Sequence, residues 1–194
     1  MTAINMTGKL RIIGGQWRGR KLAVPDRPGL RPTGDRARET LFNWLGPRVI
    51  GASVLDLFAG SGALGLEAAS RGATRVVLIE HDRAAAEALR SGPLSWPGAG
   101  LIELVQTDAL AWLGHGAGPF DLVLIDPPFD SGLLEPALLG LFARPELLSP
   151  NARLYVESAP GQVPEVWPCS LELLRQKQQG QVVLSLLRRR GAEQ

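Results

Sequence analysis

Hydrophobic positions along this chain fall into two alternating regimes. Val54–Phe58, Arg75–Glu80, Leu101–Val105, Phe120–Asp126 and Arg153–Glu157 are runs of five to seven residues dominated by aliphatic side chains. Continuous apolar runs of that length predict strands covered on both faces. Between them the apolar spacing becomes helical. A helix is predicted from just after Gly62 to about Arg71, with Gly72 past its end. Another, capped by Asp82, runs through Ala84, Ala85, Ala88 and Leu89. A short one covers Asp108–Leu113, and Leu133–Ala143 carries Pro136 in its first turn, where proline is tolerated. Ser91–Gly100 is rich in Gly and Pro and reads as a loop. Upstream, Asp35–Leu45 places Ala37, Leu41, Trp44 and Leu45 on one face, with Arg36, Arg38 and Glu39 on the others. Thr33-Gly34-Asp35 offers it capping side chains, and Gly46-Pro47 ends it. Residues 170–175 and 181–187 read as a hairpin joined by the polar Gln176–Gly180.

Strands alternating with helices, then a terminal hairpin, predict a doubly wound, mostly parallel seven-stranded α/β sheet with an antiparallel C-terminal strand. Before it, residues 9–24 read as two short strands around Gly-rich turns, followed by a Pro/Gly-rich linker from Pro25 to Pro32. The expected division is therefore a small N-terminal β-hairpin extension with its linker, 1–32, and a main domain, 33–194.

Charge sharpens that division. The net charge is only +2, but residues 1–50 hold ten Lys/Arg against three Asp/Glu, and residues 51–194 hold eleven against sixteen. A basic arm on an acidic body suits contact with a phosphate backbone. Arg11, Arg18, Arg20 and Lys21 lie close together in the predicted hairpin, and Trp17 among them offers a stacking face. The competing reading is an edge kept soluble by its arginines. Cys169 is the single cysteine among 194 residues, so no intrachain disulfide is possible. With no apolar run of membrane-spanning length and no evident signal peptide, the expected location is the cytoplasm. His81 and His115 lack metal-ligand companions, so no metal site is expected.

The candidate chemistry sits at strand ends. Gly60-x-Gly62-x-x-Gly65 follows a strand and opens a helix, and Glu80 ends the next strand about twenty residues on, as in nucleoside-cofactor sites. Asp56 precedes this loop. A carboxylate there repels a pyrophosphate and suits a cationic ligand, although it also serves as a cap on the glycine turn. Asp108 is placed to accept from an adenine amino group or to cap its own helix. The strand at 120–126 stops at Asp126-Pro127-Pro128-Phe129, because two prolines cannot continue a ladder. A carboxylate, a rigid turn and an aromatic ring are thus presented together, unless Asp126 is only a turn former. Asp126 and the Pro127 carbonyl would accept the two N–H bonds of a planar amine and orient its nitrogen. Phe129 would stack on a base taken out of its helix.

The ordered set Asp56-Leu-Phe-Ala-Gly-Ser-Gly62, Glu80, Gln106-Thr-Asp108 and Asp126-Pro-Pro-Phe129 resembles the class I S-adenosylmethionine-dependent methyltransferases, whose fold is Rossmann-like. Arg11-Ile-Ile-Gly-Gly-Gln-Trp-Arg-Gly-Arg-Lys-Leu22 and Arg31-Pro-Thr-Gly-Asp-Arg-Ala-Arg-Glu-Thr-Leu-Phe-Asn43 extend the likeness, and nearly the whole chain resembles the RsmD family of bacterial enzymes that methylate guanine N2 in 16S ribosomal RNA. The resemblance implies that Thr33, Asp56, Phe58, Gly60, Gly62, Glu80, Asp108, Ala109 and Asp126 hold S-adenosylmethionine. It also implies that Asp126, Pro127 and Phe129 act on the base, and that Arg11, Trp17, Arg18, Arg20, Lys21, Arg31 and Arg36 contact RNA. The implied substrate is 16S rRNA in an assembled or partly assembled 30S subunit, met by a monomer. The same tetrapeptide chemistry serves adenine N6 in DNA or a protein glutamine, and the glycine fingerprint alone also admits an NAD-dependent oxidoreductase.

Overall fold

The computed structural model describes residues 6–25, 34–165, 167, 168 and 170–190. Its centre is a sheet in which the aliphatic runs become β3 (Ser53–Asp56), β4 (Arg75–Ile79), β5 (Ile102–Val105), β6 (Phe120–Ile125) and β7 (Leu148–Ser158). β8 (Leu171–Gln179) and β9 (Val182–Arg189) complete it in the order β5-β4-β3-β6-β7-β9-β8. The first five strands run parallel, and β9 is antiparallel to both β7 and β8. This is the predicted Rossmann-like doubly wound sheet with its antiparallel C-terminal strand.

Alternate residues along each strand feed two cores. Val54, Val76, Leu78, Leu122, Leu124 and Tyr155 pack toward α1 (Asp35–Leu45), α2 (Ala63–Ser70) and α3 (Arg83–Ser91). Leu55, Val77, Ile79, Val123, Ile125 and Val156 pack toward α4 (Ala109–His115) and α5 (Leu134–Phe142). Both faces are dry, which is why the strands read as unbroken apolar runs. From β3 the chain builds outward to β4 and β5 on one side and later to β6 and β7 on the other. That reversal opens a crevice beyond the C-terminal ends of β3 and β6, where open α/β sheets bind ligands.

The N-terminal hairpin forms as predicted, β1 (Met6–Arg11) pairing antiparallel with β2 (Lys21–Pro25). Its turn does not project into solvent. The Ile13 and Gly14 amides each donate to the Glu67 carboxylate at 2.8 Å, and the Trp17 amide donates to Ser70 Oγ at 2.9 Å. Trp17 is 2% exposed, donates its indole N–H to the Pro97 carbonyl and meets the Trp96 ring edge-on. The expectation that Trp17 stacks on RNA is therefore corrected: the indole is spent fixing the arm to the body. The linker at 26–33, with Arg31 and Thr33, and Cys169 lie outside the described residues.

Three other expectations change. Arg38 is not on a solvated face of α1 but fully buried. It donates to the Arg11 carbonyl at 2.9 Å and to Asp35 at 2.6 Å, and lies 3.6 Å from the equally buried Glu67. Besides Asp35 on its own helix, its partners come from the arm and from α2, which no helical wheel reveals. The N-cap of α1 is Gly34, which has no side chain to cap with, and Asp35, the first helical residue, is turned to Arg38. Finally, Gln176–Gln179 is strand rather than turn; only Gly180, at φ 61°, and Gln181 make the connection. β8 is an edge strand with mostly exposed side chains, so its polar sequence conceals its pairing.

Candidate active site

The crevice is built from four strand ends. After β3, the chain turns through Gly60 and Gly62, at φ 54° and 76°, into α2. Gly65 lies in the first turns of that helix, where an added Cβ would sit 2.3 Å from Leu78 Cδ2. This absence of a side chain lets the Gly65 amide donate to Asp56 Oδ2 at 2.9 Å. Asp56 is thus the cap on the glycine loop, but only through one oxygen. Oδ1 is buried without a hydrogen-bond partner. Burial pushes the Asp56 carboxyl up to about 7; the Gly65 N–H opposes the rise, and the Asp126 and Glu80 carboxylates add to it. An orphaned buried carboxylate oxygen within a field of other carboxylates fits a cationic ligand group.

Glu80 follows β4 and is 6% exposed. It accepts from the Gly60 amide at 2.7 Å and the Asp82 amide at 2.6 Å, so its carboxylate is held against the glycine loop rather than solvated. Phe58 and Gly60 lie half-buried on the loop, and Gly62 is buried. Asp108 is exposed beyond β5 and caps α4 through Oδ1, which accepts from the Ala111 amide at 2.9 Å; Ala109 is buried beside it. The structure therefore assigns Asp108 its capping role, and Oδ1 is the oxygen engaged in it.

Beyond β6 come Asp126, half-buried, Pro127, buried, Pro128, exposed, and Phe129, half-buried. Pro127, Pro128 and Phe129 line a cleft of about 530 Å³ whose opposite wall includes Leu134 and Leu138 of α5. A cleft of that size, apolar with a few convergent polar groups, is typical of a small-molecule or base site.

The same cleft brings in two residues that sequence reasoning missed, one lining it and one supporting the first from behind. Glu157, 2% exposed near the end of β7, lines it, and the fully buried Tyr155 donates its hydroxyl to Glu157 Oε1 at 2.7 Å. Burial raises the Tyr155 pKa well above its usual value, and the Glu157 and Asp126 carboxylates reinforce this, so the phenol remains a donor. The available signal was an acid ending an apolar run, the same one that singled out Glu80.

Of the residues expected on the RNA side, Arg18, Arg20, Lys21 and Arg36 are exposed. Arg11 is exposed too and lies 3.6 Å from Asp35. The Arg20 guanidinium sits 4.9 Å above the Trp96 ring. Among the described residues, no group of three or more acidic, His or Cys side chains is arranged to hold a metal ion, and no helix is long and apolar enough to cross a membrane.

A glycine loop at the switch point of this sheet, an acid following each of its two central neighbours and a strand-end Asp-Pro-Pro-Phe together define a Rossmann-like methyltransferase. Comparison with known proteins carries this to a family. The model described as Conserved hypothetical protein 95 matches residues 10–188, and the chain belongs to that family, the RsmD family. Ribosomal RNA small subunit methyltransferase D of Escherichia coli strain K12 is 49% identical over 183 residues, covering 94% of this chain and 91% of the relative. The protein of the same name from Haemophilus influenzae is 42% identical over 179 residues, covering 91% and 92%. The solved structure of yhhF from Escherichia coli, described as a methyltransferase, superposes with a TM-score of 0.84 at 48% identity, covering 95% of this chain and 100% of that one.

Proposed function

We propose that this protein transfers a methyl group from S-adenosylmethionine to the exocyclic N2 of a guanine in 16S rRNA of the small ribosomal subunit. The observation that carries the reading is the Pro127–Phe129 turn lining a base-sized cleft, directly after Asp126, whose carboxylate acts on the buried carboxyl of Asp56 with its orphaned Oδ1. The choice of rRNA rests on relatives named ribosomal RNA small subunit methyltransferase D that match along nearly the whole chain.

S-adenosylmethionine supplies an electrophilic methyl group on a sulfonium, with a neutral thioether as leaving group. Asp56 and Glu80, fixed by the glycine loop, bind the cofactor with Phe58, Gly60, Gly62, Asp108, Ala109 and Thr33, and their negative field favours its cationic end. Asp126 and the Pro127 carbonyl accept the two N–H bonds of the amine. This aims the nitrogen lone pair, delocalised into the ring in free guanine, at the methyl carbon and stabilises the charge developing on nitrogen. Asp126 takes the released proton late. Phe129 stacks on the extruded base. Residues 1–32 form the RNA-contacting arm and 33–194 the catalytic domain, with Arg11, Arg18, Arg20, Lys21, Arg31 and Arg36 meeting the phosphate backbone of an assembled or partly assembled 30S subunit. The enzyme acts as a monomer in the cytoplasm.

Tritiated methyl transfer to unmodified 30S particles and to naked 16S rRNA, followed by digestion to nucleosides, tests the reading. The expected product is N2-methylguanosine; its absence from both substrates refutes the assignment. N6-methyladenosine instead would favour the second reading, supported by a partial likeness to tRNA1(Val) (adenine(37)-N6)-methyltransferase of Shewanella putrefaciens, 38% identical over 78 residues but covering only 39% of this chain.

A further inference from the structure

Resting on that reading of the site, we infer that Glu157 is the residue that selects guanine, by accepting the ring N1–H while Asp126 and Pro127 hold the neighbouring amine. Glu157 lines the same cleft as Pro127, Pro128 and Phe129. Parallel pairing of β6 with β7 sets Leu124 beside Tyr155 and Ile125 beside Val156. The next residues along are Asp126 and Glu157, so the two carboxylates leave adjacent strands at the same level, at an interstrand spacing of about 4.8 Å. The Tyr155 hydroxyl occupies one side of Oε1 and fixes the carboxylate in place. A neighbouring pair of acceptors is what the edge of guanine requires.

The chemistry discriminates sharply. An amine held by the Asp126 turn has one ring neighbour facing β7. In guanine that neighbour is N1, which carries a proton and donates. In adenine the ring nitrogen beside the amine is N1, a lone pair, and in cytosine it is N3, also a lone pair. The amide of a glutamine side chain presents a carbonyl oxygen or a methylene. Only guanine offers a second donor beside its amine, and a carboxylate facing a lone pair instead is repelled. The strand-end tetrapeptide alone specifies a planar amine; Glu157 adds the identity of the base.

The test uses 2,6-diaminopurine, which keeps the 2-amino group but replaces N1–H with a lone pair. The position methylated by the wild-type protein is mapped first, and splint-ligated RNA then carries guanine or 2,6-diaminopurine there. A hydrogen bond to a charged group corresponds to a preference for guanine of roughly 10- to 100-fold in kcat/KM. Glu157→Gln, whose amide donates as well as accepts, should narrow that preference to within about threefold, with unchanged affinity for S-adenosylmethionine by calorimetry. Tyr155→Phe, which frees the carboxylate without removing it, should lower the preference by a smaller factor and serves as the second variant if Glu157→Gln does not fold. A Glu157→Gln protein that loses activity equally on both RNAs, or a wild type that accepts both equally, overturns the inference. A wild type that methylates no guanine at all defeats the functional reading instead, so the two failures are told apart.

Discussion

Asp56 places a cost on the folded protein that cofactor binding should relieve, and the substitution Asp56→Asn exposes it. The carboxyl is buried with Oδ1 unpartnered, and burial raises it from the ordinary 3.8 to about 7, the Gly65 amide opposing and the Asp126 and Glu80 carboxylates adding. Between those values the native protein holds a proton that the unfolded chain has lost. The native state then binds more protons, so the Asp56 contribution to stability falls as pH rises from about 4 to about 7 and is level above that. At about 1.4 kcal/mol for each tenfold change in proton affinity, the gap corresponds to about 4 kcal/mol at pH 8. Asparagine keeps an acceptor for the Gly65 amide and carries no charge. Urea denaturation of wild type and Asp56→Asn in the absence of cofactor, from pH 4.5 to 8, should therefore show the variant gaining stability over wild type by about 1.4 kcal/mol per pH unit up to pH 7. The gain should vanish when the wild type is saturated with S-adenosylmethionine, whose cationic end lowers the Asp56 pKa, and the variant should bind that cofactor more weakly. Parallel stability curves across the whole range would refute the reasoning, because they would mean Asp56 ionises alike in both states.

Asp126→Ala should abolish methyl transfer while leaving S-adenosylmethionine affinity by calorimetry largely intact; equal loss of both would place Asp126 in the cofactor site alone. Glu67→Ala removes the acceptor of the Ile13 and Gly14 amides and of Arg71, and takes the buried carboxylate facing Arg38, so urea denaturation should show a loss of about 3–5 kcal/mol; a loss below about 1 kcal/mol would show that the pair is solvated. Trp17→Ala should destabilise the fold by about 3–5 kcal/mol, whereas Arg18→Ala and Lys21→Ala should leave the melting temperature unchanged and each lower the salt dependence of RNA binding by about one phosphate contact. Filter binding across salt concentrations separates the two effects, and an unchanged salt slope in both arginine and lysine variants would remove the arm from the RNA surface.

The sequence made the sheet legible where burial on two faces leaves unbroken apolar runs, as in β3, β4 and β6, and made Asp126–Phe129 legible because consecutive prolines force a strand to stop. It concealed β8, whose edge position permits a polar surface. It concealed β7 upstream of Arg153, where Pro150 and Asn151 interrupt the apolar pattern on an exposed stretch that still belongs to the strand. Trp17, placed among arginines, carries the local signature of a stacking platform, and only the Pro97 carbonyl and the Trp96 ring, some eighty residues away in sequence, show that its surface is already covered. Arg38 likewise reads as a helix-surface charge, because the Glu67 carboxylate and the Arg11 carbonyl that help to bury it lie on other elements. Local pattern reports local structure; it is silent on which buried polar groups meet across the fold.

α2 joins these distant contacts. All eight of its residues are buried, and Ala, Gly and Ser make up five of them, which allows other elements to approach its backbone closely. At its start, Gly65 donates to Asp56 and fixes the cofactor side of the crevice. About half a turn and about one and a half turns further on, Glu67 and Ser70 take the amides of Ile13, Gly14 and Trp17 and fix the arm. Glu67 also engages Arg38, which reaches back to the Arg11 carbonyl at the end of β1. The basic strand edge and the glycine loop are therefore attached to one short helix, within five residues of each other. On the proposed function, an arm held in this way would do more than attract phosphate: it would set where the backbone of a bound RNA lies relative to Asp126, and so where the edge of an extruded base meets Phe129 and Glu157.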